Sequence, residues 1–490
     1  MVNRHVGAES QSARRRTLRR MLVISSVVSC ATLGAATIPV TTTTDVDLDD
    51  ADCSLREAIV AANTDAGYHG CPAGAGADRI VFDLAFPATI ALTADLPAAT
   101  TSMKFQGPGR TQLALDGQDL HRILVLDSPG GLPWFFVERL TLTRGRAPGG
   151  VNGTGGGAFV GTQDKALFSR VRFLANSSAN GGGGLGLSDS GSGGATVTLE
   201  ECEFEGNVAE GALGGGGLYS YYSQVIVHGT TFSGNRATSA TGVGGGIRQF
   251  QGRLTLEQST LSANEADSGG GIYVSGNFAP APMSLTIVDS TITQNVANAD
   301  GNSTGDGGGV AAGGTAGLVV LALQNSVVAG NLDSGTDAFP DLFLASGILA
   351  SLTTGFDFVG SRAGATSYCP AGSPNANGDW VGTAAAPLDP QLGILHDNGG
   401  PTSTHRPLTG VPSLLIDNGQ CTNAATDQRG FGDVLLRKRQ VDSPAAPNPV
   451  GGDLCDIGAV EVDATADARG ALFSDGYELG HTLLWSDESR

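Results

Sequence analysis

Charge is scarce in this 490-residue sequence: only 16% of residues are charged, and 28 Lys and Arg face 48 Asp and Glu. A net charge of −20 without grouped basic residues excludes a nucleic-acid-binding surface, because phosphate contacts need clustered Lys and Arg. Long apolar runs are missing as well. The longest, Met21 to Ala36, has 16 residues, short of the ~20 that a spanning helix needs. No C-x-x-C occurs and no cysteine pair has metal-ligand spacing, so neither zinc nor any other metal or cofactor is expected. The acidic stretch Asp300–Asp306 lacks EF-hand spacing. Gly181–Gly184 is not followed by the Lys-Ser/Thr of a phosphate loop, and no Ser, Cys or His nucleophile motif is present. Glycine is abundant, with 74 residues, but it comes in clumps rather than at every third position, which excludes collagen. A hydrophobic share of 40%, spread along the chain, excludes a disordered acidic tail. What remains is a folded, acidic, turn-rich protein.

The N-terminus reads as an address. Arg14, Arg15, Arg16, Arg19 and Arg20 precede the apolar run, which ends in small residues, the layout of a secretory signal. Cleavage after Ala36 leaves 22 basic and 47 acidic residues, or −25. A second reading takes Val27-Val28-Ser29-Cys30 as a lipobox, with Cys30 as a lipid-bearing N-terminus. Export permits disulfides. Cys53 with Cys71, and Cys421 with Cys455, are candidates for local loop closures. Cys202 falls in a strand pattern and reads as a buried free thiol, and Cys369 has no obvious partner.

One internal period dominates. Six segments end alike at Asn176, Asn207, Asn235, Asn264, Asn295 and Asn331, spaced 31, 28, 29, 31 and 36 residues apart. Each unit also carries a glycine cluster followed by an apolar residue, as in Gly184-Leu185, Gly217-Leu218 and Gly246-Ile247. Aligned on Asn, apolar residues recur ten and eight positions earlier, as in Val225/Val227 and Leu254/Leu256. The alternation slips by one and resumes five and three positions earlier, as in Thr230/Phe232 and Ser259/Leu261. Period-two alternation is a half-buried strand, and the slip marks a corner. Three short strands per ~30-residue unit make an all-β fold, a parallel β-helix. The Asn column is expected to form an internal ladder at a turn, and the glycines to serve turns of positive φ. A helical solenoid would need 3.6-residue periodicity over 10–12 residues, which these units lack. Ser54 to Asn63 places Leu55, Ala58, Ile59 and Ala62 at helical spacing, enough for one short capping helix.

These motifs resemble known families. FLAN, FEGN and FSGN beside GGGL and GGGI are similar to the FxxN and GGA[ILV] repeats of polymorphic outer-membrane proteins. Cys53-Ser-Leu-Arg-Glu-Ala-Ile59, continuing to Asn63, resembles the CSLREA segment of exported β-helices. Asp389–Gly393, Asp397–Pro401, Thr426–Gly430 and Cys455–Glu461 resemble the choice-of-anchor Q domain. Residues 471–485 resemble the short FxDGFExG…W tails of some secreted bacterial proteins. The resemblance implies an exported bacterial right-handed parallel β-helix, in families where most members have no known activity. The expected organisation is a signal peptide over 1–36 and a β-helix with its N-terminal cap over 37–388. An irregular C-terminal cap over 389–462 and a linker and tail over 463–490 complete it.

Two outward columns could carry function. Tyr219, Arg248 and Tyr273 fall on successive rungs, with Tyr221 and Tyr222 nearby. That stripe suits stacking on sugar rings, and equally a cross-rung ladder. Glu200, His228 and Glu257 form a second column with the residue types of general acid–base chemistry. Beside it Arg170 and Glu201 are placed for an ion pair. No tight aspartate group of a polygalacturonase and no basic strand of a pectate lyase is found. The sequence therefore points to a monomeric, non-catalytic surface or secreted protein in adhesion, contacting polysaccharide or cell-surface glycan. The alternative is a polysaccharide lyase or glycoside hydrolase on one β-helix face. The mature chain is expected to have no transmembrane segment and no nucleic-acid partner.

Overall fold

The computed structural model describes residues 35–462 apart from 131, 151–152, 188–192, 277–282, 302–304, 315–318, 336–338, 346–350, 354, 367–368, 410–411, 421, 423–425 and 431–454. The expected export segment up to residue 34, with Cys30, lies outside the described residues, as do Cys421 and the tail 463–490. Among the described residues no helix is long and apolar enough to cross a membrane.

The chain winds into coils whose strands stack in three long sheets. Sheet I has eleven strands, from Thr37–Val40 to Ser351–Thr353; sheet II has eight, from Leu124–Leu126 to Leu342–Leu344; sheet III has eleven, from Ala88–Ala91 to Trp380–Val381. Neighbouring strands pair in parallel and in register, for example Val197↔Val225 and Val225↔Leu254 in sheet I. Inward positions are buried and apolar, and Phe173, Phe204 and Phe232 stack ring on ring at 4.3 and 4.4 Å. This is a parallel β-helix, and its core is the column of side chains enclosed by the three sheets.

Two hydrogen-bond ladders hold the corners. The Asn207 Oδ1 accepts from the backbone N–H (3.0 Å) and Nδ2 (2.9 Å) of Asn176 one coil earlier. Its own Nδ2 donates to Phe173 O (2.9 Å) and Asn235 Oδ1 (2.8 Å). The pattern repeats through Asn264, Asn295 and Asn331 and ends on Asp341 Oδ1. At the other corner Thr230, Ser259, Ser290 and Ser326 form a hydroxyl ladder. Ser259 Oγ accepts from Thr230 N (3.2 Å) and donates to Glu257 O (2.8 Å). The column ends on Asp357 and Asp379.

Each ladder residue follows one in the left-handed region, such as Gln258 (φ 49°) before Ser259 and Ala263 (φ 55°) before Asn264. The glycine clusters correct the expectation that every glycine serves positive φ. In Gly215–Gly217 only the first has it (φ 67°). A Cβ on Gly217 would instead sit 2.7 Å from Gly246 O and 2.9 Å from the Phe232 ring. The later glycines are there because adjacent coils pass too close for any side chain.

The N-terminal end is closed by the helix Leu55–Thr64. Ser54 and Glu57 form a capping box, and Leu55, Ala58, Ile59 and Ala62 are buried. Arg56 grips Asp45 through two nitrogens and donates to Asp95 O and Ala94 O, tying the helix to the first coils. A Cys53–Cys71 disulfide spans the helix.

The C-terminal segment is bonded to the body of the coil. Its described parts lie along the outside of sheet III over four successive coils. Thr231 Oγ1 donates to Ser403 O (2.6 Å), Thr260 Oγ1 to Gln428 Oε1 (2.6 Å), and Thr291 Oγ1 accepts from Ala459 N (3.1 Å). Gly458 N donates to Asn325 O (2.9 Å). The reason is the outward threonine column of sheet III, whose hydroxyls and neighbouring carbonyls offer partners that a solvated face would leave to water.

Candidate functional site

Sheet II carries the most concentrated aromatic surface. Its register places Tyr219 beside Arg248 and Arg248 beside Tyr273, with Tyr221 beside Phe250 two positions on. Tyr221 stacks on Phe250 at 5.1 Å, and Tyr222, in the left-handed region at the sheet's end, closes edge-on to Tyr221 at 4.7 Å. The Arg248 guanidinium lies 4.7 Å from the Tyr273 ring centre and 5.7 Å from that of Phe250. Arg248 donates to Gln249 O (3.1 Å) and Ser275 Oγ (2.9 Å), and burial lowers its pKa from the ordinary value.

Small residues on the flanking rungs make this packing fit. Gly186 pairs directly with Tyr219 and offers no side chain to meet its ring. A Cβ on Gly313 would lie 2.1 Å from the Tyr273 hydroxyl. One expectation changes here: Tyr219 faces outward but is only 5% exposed, with a turn glycine, Gly181, against its ring. The accessible platform is thus Tyr221, Tyr222, Phe250 and Tyr273 around Arg248, all half-buried. Phe250 escaped the sequence reading because only the column two positions after the glycines was followed. Extending it by two residues would have found it.

The register also places Glu200, His228 and Glu257 on successive rungs of sheet I. Partial burial raises the Glu200 pKa, with the neighbouring His228 acting the other way. Among the described residues no hydrogen bond or ion pair joins the three. His228 borders a cleft of about 410 Å³ between the sheet I–III corner and the C-terminal segment, lined also by Arg170, Glu201, Gln258 and Arg429. Its charges are largely engaged. Arg170 meets Glu201 at 2.5 Å. Arg429 meets Asp427 at 2.9 Å, and Asp427 accepts from Glu461 N, also at 2.9 Å. A Ser262–His405 Nε2 contact of 2.8 Å behind this segment is fully buried, and His405 Nδ1 donates to Gly393 O at 2.6 Å.

The described free cysteines are committed to structure. Cys202 and Cys369 are buried free thiols, each pushed up to about 12 chiefly by burial, so neither supplies a thiolate at neutral pH. Cys455 is disulfide-bonded. Asp47, Glu57 and His69 each bring one ligand-type atom within 4.8 Å of the others. Glu57, however, spends both oxygens on Leu48 N and Ser54 N.

No curated protein matches the sequence. The family described as "Right handed beta helix region" matches residues 150–331, the span that contains the Asn ladder and the aromatic platform. With its parallel sheets in register, the chain is built on a right-handed parallel β-helix.

Proposed function

We propose that this chain is an exported surface or secreted protein whose β-helix contacts glycans without transforming them. The observation that carries the reading is the aromatic platform around Arg248. Ring faces pack against the C–H faces of sugars, while a guanidinium and tyrosine hydroxyls supply directed hydrogen bonds. Four half-buried rings on adjoining rungs offer this repeatedly along the solenoid axis, which suits an extended polymer. Export is supported by the Arg-rich, then apolar N-terminus and by the Cys53–Cys71 disulfide, a bond that persists in oxidising compartments.

The second reading, a polysaccharide lyase or glycoside hydrolase, is favoured by one observation: His228, the middle member of the Glu200–His228–Glu257 column, borders the cleft. Weighing against it, no hydrogen bond or ion pair joins the three side chains among the described residues, and the cleft's arginines already face carboxylates. Glycan-array binding of the full chain beside its Tyr221→Ala and Phe250→Ala variants tests the platform. Each variant is expected to lose about ten-fold or more in affinity for whatever saccharide the wild type retains, the scale of one buried aromatic contact. Unchanged affinity in both dismisses the platform. Tyr219→Ala, by contrast, probes stability, because that ring is buried.

A further inference from the structure

Arg248 stands out electrically. Several arginines of the neighbouring faces meet carboxylates one or two coils on, as Arg170 does Glu201, Arg146 does Glu210 and Arg236 does Glu265. Arg248 meets none among the described residues, although the chain carries −20. Its rung neighbours are Tyr219 and Tyr273, and the aromatic next but one along its strand is Phe250. A guanidinium partly removed from water without a counter-charge is a costly arrangement, tolerable where an anion completes it. Two of its N–H groups are used, on Gln249 O and Ser275 Oγ. A guanidinium has five, so three are left for a ligand.

Resting on the glycan reading above, we propose that Arg248 anchors an acidic saccharide: the rings hold the sugar faces, and the guanidinium pairs with a carboxylate or sulfate oxygen of the same chain. The planar fork of Arg matches such groups bidentately, which a Lys ammonium does not. The aromatic walls exclude water from the pair and strengthen it. The negative surface repels long polyanions at range, so the site's preference is expressed at contact and is read best with short oligosaccharides.

The test titrates the full chain with short oligosaccharides bearing glucuronate or mannuronate, with their carboxyl-methyl-esterified forms, and with a sulfated neutral oligosaccharide. The wild type is expected to bind at least one acidic form about ten-fold or more tighter than its neutral counterpart, the scale of a charge-assisted hydrogen bond. The uronate and sulfate arms identify which anion is taken. Arg248→Gln is expected to erase that preference, so that acidic and neutral forms bind it alike within about two-fold, and Arg248→Lys to restore only part of it. Thermal unfolding confirms that the variants fold, and the esterified ligand tests the pairing with no variant at all. Equal binding of acidic and neutral forms by the wild type overturns the inference and leaves the glycan reading standing, and so does a preference that survives in Arg248→Gln. Binding of no saccharide, acidic or neutral, overturns both.

Discussion

Asn264 sits fully buried in the middle of the asparagine ladder, so its replacement by Ala measures what the ladder is worth. The side chain makes four hydrogen bonds. Its Oδ1 accepts from Asn235 N (3.0 Å) and Asn235 Nδ2 (2.8 Å), and its Nδ2 donates to Phe232 O (3.0 Å) and Asn295 Oδ1 (2.8 Å). Two partners keep another bond after truncation: Asn235 Nδ2 still reaches Phe204 O, and Asn295 Oδ1 still receives the backbone N–H of residue 264. The backbone N–H of Asn235 loses this acceptor inside the coil, a loss of about 1–3 kcal/mol, and the other lost bonds add about 1 kcal/mol each. The expected destabilisation is about 4–6 kcal/mol, a large fraction of the ~5–15 kcal/mol typical of a folded domain. Urea unfolding followed by circular dichroism measures it. Asn180→Ala is the control. That residue is half-exposed and its Nδ2 makes one bond, to Gly150 O at 2.7 Å, so the loss there stays below about 1 kcal/mol. Equal losses at the two positions would refute the ladder as a load-carrying element of the coil.

Three further outcomes follow from the same geometry. Burial pushes the Asp341 carboxyl up to about 6, so the folded state holds its proton after the unfolded chain has released it. Its contribution is therefore present at low pH and lost as pH rises from about 4 to about 6, by roughly 2–3 kcal/mol; Asp341→Asn should reduce the slope of the urea midpoint against pH over that window, and an unaltered slope contradicts the assignment. Gln428 bridges Thr231, Thr260 and Thr402 from the C-terminal segment. Gln428→Ala should make that segment a faster target for limited proteolysis while the far-ultraviolet spectrum of the coils is retained, and equal cleavage rates would show that the segment is held by other contacts. Replacing Cys53 and Cys71 together by Ser releases a loop closed across a sequence separation of 18 and should cost about 3 kcal/mol; thermal unfolding that is insensitive to the double change would contradict this.

The coil architecture was legible because stacking converts geometry into period. A residue that must bond its copy in the next coil has to be Asn in every unit, and so Asn176 to Asn331 announce themselves. The hydroxyl ladder was hidden because Cys202, Thr230, Ser259, Ser290 and Ser326 differ in type and fit an inward strand position equally well. Their role shows only in the hydrogen bonds to the preceding coil. The path of the C-terminal segment was illegible for a different reason. Gln428 and Thr231 are 197 residues apart and belong to no common repeat, so no local pattern joins them. For the platform, the Tyr219–Arg248–Tyr273 register followed from counting. The covering of Tyr219 did not, since exposure depends on where turn glycines such as Gly181 pass over the sheet.

Glycan contact without turnover, as proposed for the platform, is open to direct measurement. Its most direct test incubates the purified full chain with the polysaccharides it retains on an array and follows reducing ends and unsaturated products over hours. The expected result is retained binding with polymer length and both signals unchanged from the protein-free control. Turnover of any polymer, lost in the Glu200→Gln or His228→Ala variant, would contradict it and move the function from the aromatic platform to the sheet I column.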